Sequence, residues 1–178
     1  MEKDFDKILI QPQEISARVA EVAKQIDKDY EGKSPIVIAV LKGSILFYAD
    51  LIRSMKTDVV LDFIEISSYG NGTVSGKIKF IKDCDFDVKD KDVLFVEDIV
   101  DSGKTIDYLI KIFQLRHPKS IKVCTLLDKT EARKVDVQVD YACFNIGNEF
   151  VAGYGLDYAE HYRSVPFIGV LKEEIYKK

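Results

Sequence analysis

The stretch Val93-Leu-Phe-Val-Glu-Asp-Ile-Val-Asp-Ser-Gly-Lys-Thr105 decides how the rest of the chain is read. Its first four residues are apolar without a break, the pattern of a strand covered on both faces. Glu97, Asp98 and Asp101 then set three carboxylates within five residues, which reads as an acidic turn at the mouth of that strand. Crowded acids repel one another and lose hydration when buried, so they need cations or hydroxyl donors. Ser102-Gly103-Lys104-Thr105 follow with flexible backbone, hydroxyls, an ammonium group and the free N–H groups of a helix start. That combination suits a phosphate monoester. One ligand with vicinal hydroxyls and a terminal phosphate satisfies both halves, and a ribose 5-phosphate has that shape. The plain alternative is a solvated acidic turn before a capped helix.

A nucleotide-binding P-loop is the obvious rival, because Gly103-Lys104-Thr105 matches the end of G-x-x-x-x-G-K-[ST]. The first glycine of that pattern falls on Asp98, however, where a carboxylate would face the phosphates the loop should wrap. The P-loop is rejected on that ground.

Outward from this segment, apolar strands alternate with amphipathic helices. Ile15, Val19, Val22 and Ile26 recur at helical spacing between Pro12 and Lys28. Pro35-Ile-Val-Ile-Ala-Val-Leu41 reads as a second fully covered strand, ending at Lys42-Gly43 before a helix from Ile45 to Met55. Val59–Ile66 reads as a strand and Ser67–Gly76, rich in glycine and hydroxyls, as a mobile loop. After the central segment come a helix with Ile106, Leu109, Ile110 and Phe113 on one face, and strands at Ile121–Leu127, Tyr141–Ile146 and Phe167–Leu171. This order predicts an α/β fold: a mostly parallel twisted sheet flanked by helices, in one domain covering residues 1–178. Ligands of such sheets sit at the carboxyl ends of the strands, where Lys42-Gly43, Glu97–Thr105 and Lys129 all fall.

The composition narrows the class. The 178 residues are 47% hydrophobic and 31% charged, without repeats or low-complexity tracts, as in a globular protein. Three cysteines, widely spaced, and two histidines argue against a disulfide framework or a structural zinc site. A net charge of −4 gives no general attraction for nucleic acid or an anionic membrane. No apolar stretch reaches membrane-spanning length, and the start Met1-Glu-Lys-Asp lacks a secretory pattern, so the expected location is cytoplasmic.

Val96-Glu-Asp-Ile-Val-Asp-Ser-Gly-Lys-Thr105 resembles the phosphoribosyl diphosphate signature of the type I phosphoribosyltransferases. From Val40-Leu-Lys-Gly43 to Arg163 the chain resembles their hypoxanthine-guanine members. The resemblance implies that fold with a small base-binding hood, transfer of a phosphoribosyl group to a 6-oxopurine, a Mg2+ requirement, and a homodimer or homotetramer. By the same resemblance Glu97 and Asp98 contact the ribose hydroxyls and, with Asp157, the metal. Ser102, Gly103, Lys104 and Thr105 hold the 5-phosphate, and Asp101 both borders the ribose phosphate and moves a proton at N7 of the purine. Lys42, Gly43 and Arg163 take the diphosphate. Lys129 meets the 6-oxo group, Phe150 stacks on the base, the Val151 backbone reads its edge, Asp157 also belongs to the purine-binding set, and Ser68-Tyr69 belong to a lid. A sensor that binds the diphosphate sugar without catalysis is a separate functional class. It would need a nucleic-acid surface or an added domain, and this acidic chain shows neither.

Overall fold

The computed structural model describes residues 1–69 and 77–177. In chain order the elements are β1 (Phe5–Ile10), α1 (Pro12–Asp29), β2 (Ile36–Leu41), α2 (Ile45–Ser54), β3 (Val60–Tyr69), β4 (Lys77–Lys82), β5 (Asp92–Val100), α3 (Lys104–Gln114), β6 (Ser120–Asp128), β7 (Tyr141–Asn145), β8 (Val151–Ala152), β9 (Ile168–Leu171) and α4 (Glu173–Tyr176). The main sheet runs β4-β3-β2-β5-β6-β7, with β4 antiparallel to β3 and the other neighbours parallel. A smaller antiparallel sheet, β1-β9-β8, forms the hood.

Strand periodicity sorts the core. Val37 and Ala39 of β2, with Leu94 and Val96 of β5, face Val19, Val22, Ile26, Phe47 and Leu51 from α1 and α2. Their strand neighbours Ile36, Ile38, Val93 and Phe95 face Ile106, Leu109 and Phe113 of α3 on the opposite side. Both faces of β2 and β5 are thus covered, which is why the two strands carry no polar alternation. Each large apolar side chain so buried contributes about 1.5–3 kcal/mol. The hood shares the first of these cores through Ile10, Val151 and Ile168 and adds a small one of Phe5, Ala152, Val165, Phe167 and Leu171.

Two expectations are corrected. Strand β5 does not end at Val96: Glu97, Ile99 and Val100 remain in register with Thr125, Leu127 and Asp128 of β6. Glu97 and Asp98 are therefore strand residues rather than turn residues, because the ladder is made by backbone and β6 is long enough to continue it. Similarly β3 runs through Ser67, Ser68 and Tyr69, which pair with Lys79, Ile78 and Lys77, so the predicted loop does not begin at Ser67. Its remainder, 70–76, lies outside the described residues.

Strands β1, β4 and β8 were not anticipated. The alternation Lys77-Ile-Lys-Phe-Ile-Lys82 carries the period-two signal of β4 in plain view. In β1 the signal is broken by register shifts on both sides of the Lys7–Ile8 pair, and β8 has only two residues.

Candidate active site

The parallel register brings three strand ends side by side. β2 hands over to Lys42-Gly43 across a cis Leu41–Lys42 peptide, β5 to Asp101, and β6 to Lys129. A cavity of about 240 Å³ is lined by Lys42, Gly43, Glu97, Asp98, Thr105, Asp157 and Arg163, with Ile66 of β3 at its side. A neighbouring cavity of about 270 Å³ is lined by Glu97, Asp98, Asp101, Ser102, Gly103 and Thr105. Glu97, Asp98 and Thr105 form the wall common to both.

That wall is electrostatically unsatisfied. Glu97 is 8% exposed, and its Oε2 is buried without a hydrogen-bond partner. Burial, reinforced by the charge of Asp98, raises the Glu97 carboxyl well above the usual carboxylate range. Asp98 is also raised by burial, although Arg163 opposes this and Ile99 N–H donates to its Oδ1 at 2.8 Å. A buried orphan oxygen next to a second acid fits a hard cation, and an all-oxygen donor set suits magnesium. Among the described residues no group of three or more acid, histidine or cysteine side chains could hold a metal unaided.

Backbone closeness shapes the first cavity. A Cβ on Gly43 would overlap the Asp98 carboxylate, and one on Gly155, whose φ is +101°, would overlap the Gly43 carbonyl. The hood loop at Gly155 thus rests directly on the Lys42-Gly43 turn. Arg163 locks it: Nη1 donates to Gly155 O at 2.8 Å, Nη2 meets Asp157 Oδ1 at 2.8 Å, and Gly155 N–H donates to Arg163 O at 2.9 Å. Arg163 Nε is buried with no partner. Asp157 also accepts from Glu160 N–H at 2.8 Å, and Lys42 Nζ lies 3.5 Å from Glu160 Oε2.

At the second cavity, α3 starts from Gly103 at φ +79° with no side-chain cap. Asp101 is exposed and leaves the helix N–H groups open, so it does not serve as their cap. On the base side, the half-buried Lys129 donates from Nζ to Glu149 O at 2.7 Å. Burial lowers its pKa against the opposing charges of Asp101 and Glu149. Val151 is buried in β8 opposite Val170. Phe150 is 38% exposed but not free on both faces: Tyr176 of α4 stacks on it at 4.4 Å and 18°, and Tyr158 meets it edge-on at 5.8 Å. Phe150 and Tyr176 line a third cavity, of about 850 Å³, to which no residue of Glu97–Thr105 contributes.

The structure therefore gathers Glu97, Asp98, Asp101, Ser102, Gly103, Thr105, Lys42, Asp157 and Arg163, with Gly43, around two cavities that share a wall, whereas Lys104 lines a separate cavity of about 520 Å³ with Arg133 and Lys134. Phe150 and Val151 lie beyond the Lys129–Glu149 contact. Ser68 and Tyr69 end β3, and their side chains are outside the description. Sequence reasoning missed Tyr176, Gly155 and the Asp128–Arg133 pair behind the phosphate loop. A signal for the last existed: an aspartate ending a buried strand needs a cation, and Arg133 is close in sequence.

The phosphoribosyl transferase domain model matches residues 6–159, and the chain belongs to that family. Its full-length relatives place it among the hypoxanthine-guanine members. The hypoxanthine-guanine phosphoribosyltransferase of Streptococcus thermophilus is 48% identical over 179 residues, spanning 100% of this chain and 99% of that protein. The structure of a hypoxanthine phosphoribosyltransferase from Staphylococcus aureus superposes with a TM-score of 0.96 at 41% identity, covering 100% of this chain and 97% of that one. A hypoxanthine-guanine phosphoribosyltransferase structure from Bacillus anthracis, with HEPES in its active site, gives 0.90 at 50% identity over 94% of this chain and 99% of that one.

Proposed function

We propose that the protein is a purine-salvage enzyme that joins hypoxanthine or guanine to 5-phosphoribosyl 1-diphosphate, releasing diphosphate and the nucleoside monophosphate. The observation that carries this reading is the common wall of the two cavities. Asp101, Ser102 and Gly103 lie on one side, Lys42, Gly43 and Arg163 lie on the other, and Glu97 and Asp98 stand between them. A sugar with phosphate groups at both ends fits that order.

In this reading the N–H groups and hydroxyls of Ser102–Thr105 hold the 5-phosphate, and Glu97 and Asp98 hold the ribose hydroxyls. The Lys42-Gly43 backbone and Arg163 receive the diphosphate, the planar guanidinium suiting its oxygens. Glu97, Asp98 and Asp157 would hold magnesium together with substrate oxygens, and the ion would supply positive charge beside the leaving diphosphate. The C1–O bond to diphosphate breaks as the bond to purine N9 forms, with oxocarbenium character at C1. Asp101 takes the purine proton at N7, which neutralises the charge that N9 would otherwise gain. Lys129 has three donors, so one can remain on Glu149 O while another meets the 6-oxo group. Phe150 stacks on the base, the Val151 backbone reads its edge, and Ser68-Tyr69 contribute to a lid that excludes water.

A spectroscopic assay with Mg2+ and phosphoribosyl diphosphate should show turnover of hypoxanthine, guanine or both. Turnover of adenine or orotate alone would overturn the base assignment, and inactivity with every base would favour the non-catalytic sensor. The enzyme is further read as a cytoplasmic homo-oligomer. Ile45 and Leu46, 40% and 37% exposed beside the Lys42-Gly43 turn, offer an apolar surface to a second copy. A monomeric mass in solution would contradict this.

Glu97 also sets a pH expectation. Its carboxyl is raised in the fold, so the native state binds more protons than the unfolded chain above the ordinary carboxylate pKa. Stability from this group is present at low pH and is lost as pH rises through the raised value. Glu97→Gln should therefore raise the melting temperature of the ligand-free protein near about pH 8, where the buried charge is otherwise felt. The same substitution should weaken Mg2+-dependent binding of phosphoribosyl diphosphate. An unchanged or lower melting temperature would show that the Glu97 charge is already compensated.

A further inference from the structure

The turn after β6 is laced to the phosphate loop through three consecutive carbonyls. Lys129 N–H donates to Val100 O at 2.9 Å, Arg133 Nε to Asp101 O at 3.2 Å, and Lys134 N–H to Ser102 O at 3.0 Å. Each of these peptides is trans, and in a trans peptide the C=O and N–H point in opposite directions. Pinning the three carbonyls toward the turn therefore aims the N–H groups of Asp101, Ser102 and Gly103 away from it. All three residues line the cavity of about 270 Å³, to which no residue of the turn contributes, while on the turn side Asp101 and Ser102 share a cavity of about 520 Å³ with Arg133 and Lys134. Successive N–H groups facing one way form an anion-binding concavity.

Arg133 is the side chain in this lacing. Its Nη1 donates to Val137 O at 3.1 Å, and its Nη2 reaches the Asp128 carboxylate and lies 3.5 Å from Val100 O. The Arg133 and Asp128 side chains are only 16% and 10% exposed. The stem of the arginine also backs the loop, since a Cβ on Gly103 would lie 2.8 Å from Arg133 Cδ. Buried Asp128 balances the charge, and the guanidinium fork serves carbonyls on both sides of it.

We propose that Arg133 is a positioning residue for phosphate recognition: it touches no substrate but holds the carbonyls of Val100 and Asp101 outward, so that the loop presents its N–H groups and the Asp101 carboxylate to the ligand. This deepens, and rests on, the reading of Ser102–Thr105 as the holder of a sugar 5-phosphate. A planar five-donor fork is required, because a lysine would balance Asp128 but act only as a point donor.

The test is Arg133→Lys, with ribose 5-phosphate binding measured by calorimetry and the KM for phosphoribosyl diphosphate measured beside it. Both should worsen by about ten-fold or more, with the melting temperature close to that of the unsubstituted protein. Should the lysine variant fold poorly, Asp128→Asn keeps an acceptor for the guanidinium while removing the charge, and should show a smaller loss in the same direction. Unchanged ribose 5-phosphate binding in Arg133→Lys would reduce the pair to charge balance and overturn the proposal. Early melting with equal losses of ribose 5-phosphate and free hypoxanthine would overturn it too, as a general structural defect. Failure of the unsubstituted protein to bind ribose 5-phosphate would instead sink the reading of the loop on which the proposal rests.

Discussion

Asp101→Asn should lower the turnover number by about 100-fold or more, without a matching loss of affinity for phosphoribosyl diphosphate. The exchange keeps the size and acceptor oxygen of the side chain but removes its ability to take a proton. Asp101 is exposed, caps no helix end, and stands at the cavity that holds the phosphate loop. Arg133 donates to the Asp101 carbonyl, and that carbonyl is untouched by the substitution. Folding and sugar-phosphate binding should therefore persist while the chemical step slows. Pre-steady-state kinetics beside equilibrium binding separates the two, and normal turnover in purified Asp101→Asn protein would remove Asp101 from the proton transfer.

The second large effect is expected at a residue with no functional group. Gly155→Ala places a methyl group against the Gly43 carbonyl and forces alanine to φ +101°. The backbone strain alone is about 1–3 kcal/mol. Relief requires the hood loop and the Lys42-Gly43 turn to separate, and Arg163, bonded to Gly155 O, must move with the loop. A shift of about 1 Å in positioning groups can cost about 100-fold in rate, so kcat/KM should fall on that order. Gly32→Ala is the matched control: Gly32 has φ +71° but no atom within 4 Å of the added Cβ. That variant should lose stability but keep its kinetics. Equal kinetics for both variants would show that contact between the two loops does not set the site.

The sequence made the covered strands legible because burial on both faces leaves continuous apolar runs, as in Ile36–Leu41 and Val93–Val96. It concealed where β5 ends, since a ladder is built from backbone and continues through Glu97 and Asp98. The Glu97–Thr105 segment was legible as a candidate site for a related reason: glycine, hydroxyls and acids concentrated in one short segment favour ligand binding. The supports behind it were not. Arg133 reads as one more surface cation until the fold brings it against Asp128, Val100 and Asp101. Gly155 owes its importance to Gly43, which is distant in sequence, and Tyr176 to its stacking on Phe150. The contacts of Gly155 and Tyr176 are long-range and leave no local signal, whereas the Asp128–Arg133 pair left the one local hint of an aspartate ending a buried strand with a cation close by in sequence.

On the proposed reading, one phosphoribosyl diphosphate spans the two cavities across the Glu97–Asp98 wall. A crystal structure with Mg2+ and phosphoribosyl diphosphate, without purine, tests it most directly. The 5-phosphate is expected on the N–H groups of Ser102–Thr105, the ribose hydroxyls at Glu97 and Asp98, and the diphosphate at Lys42, Gly43 and Arg163. A sugar phosphate bound elsewhere, or held in the reverse direction with its diphosphate in the loop, would contradict it.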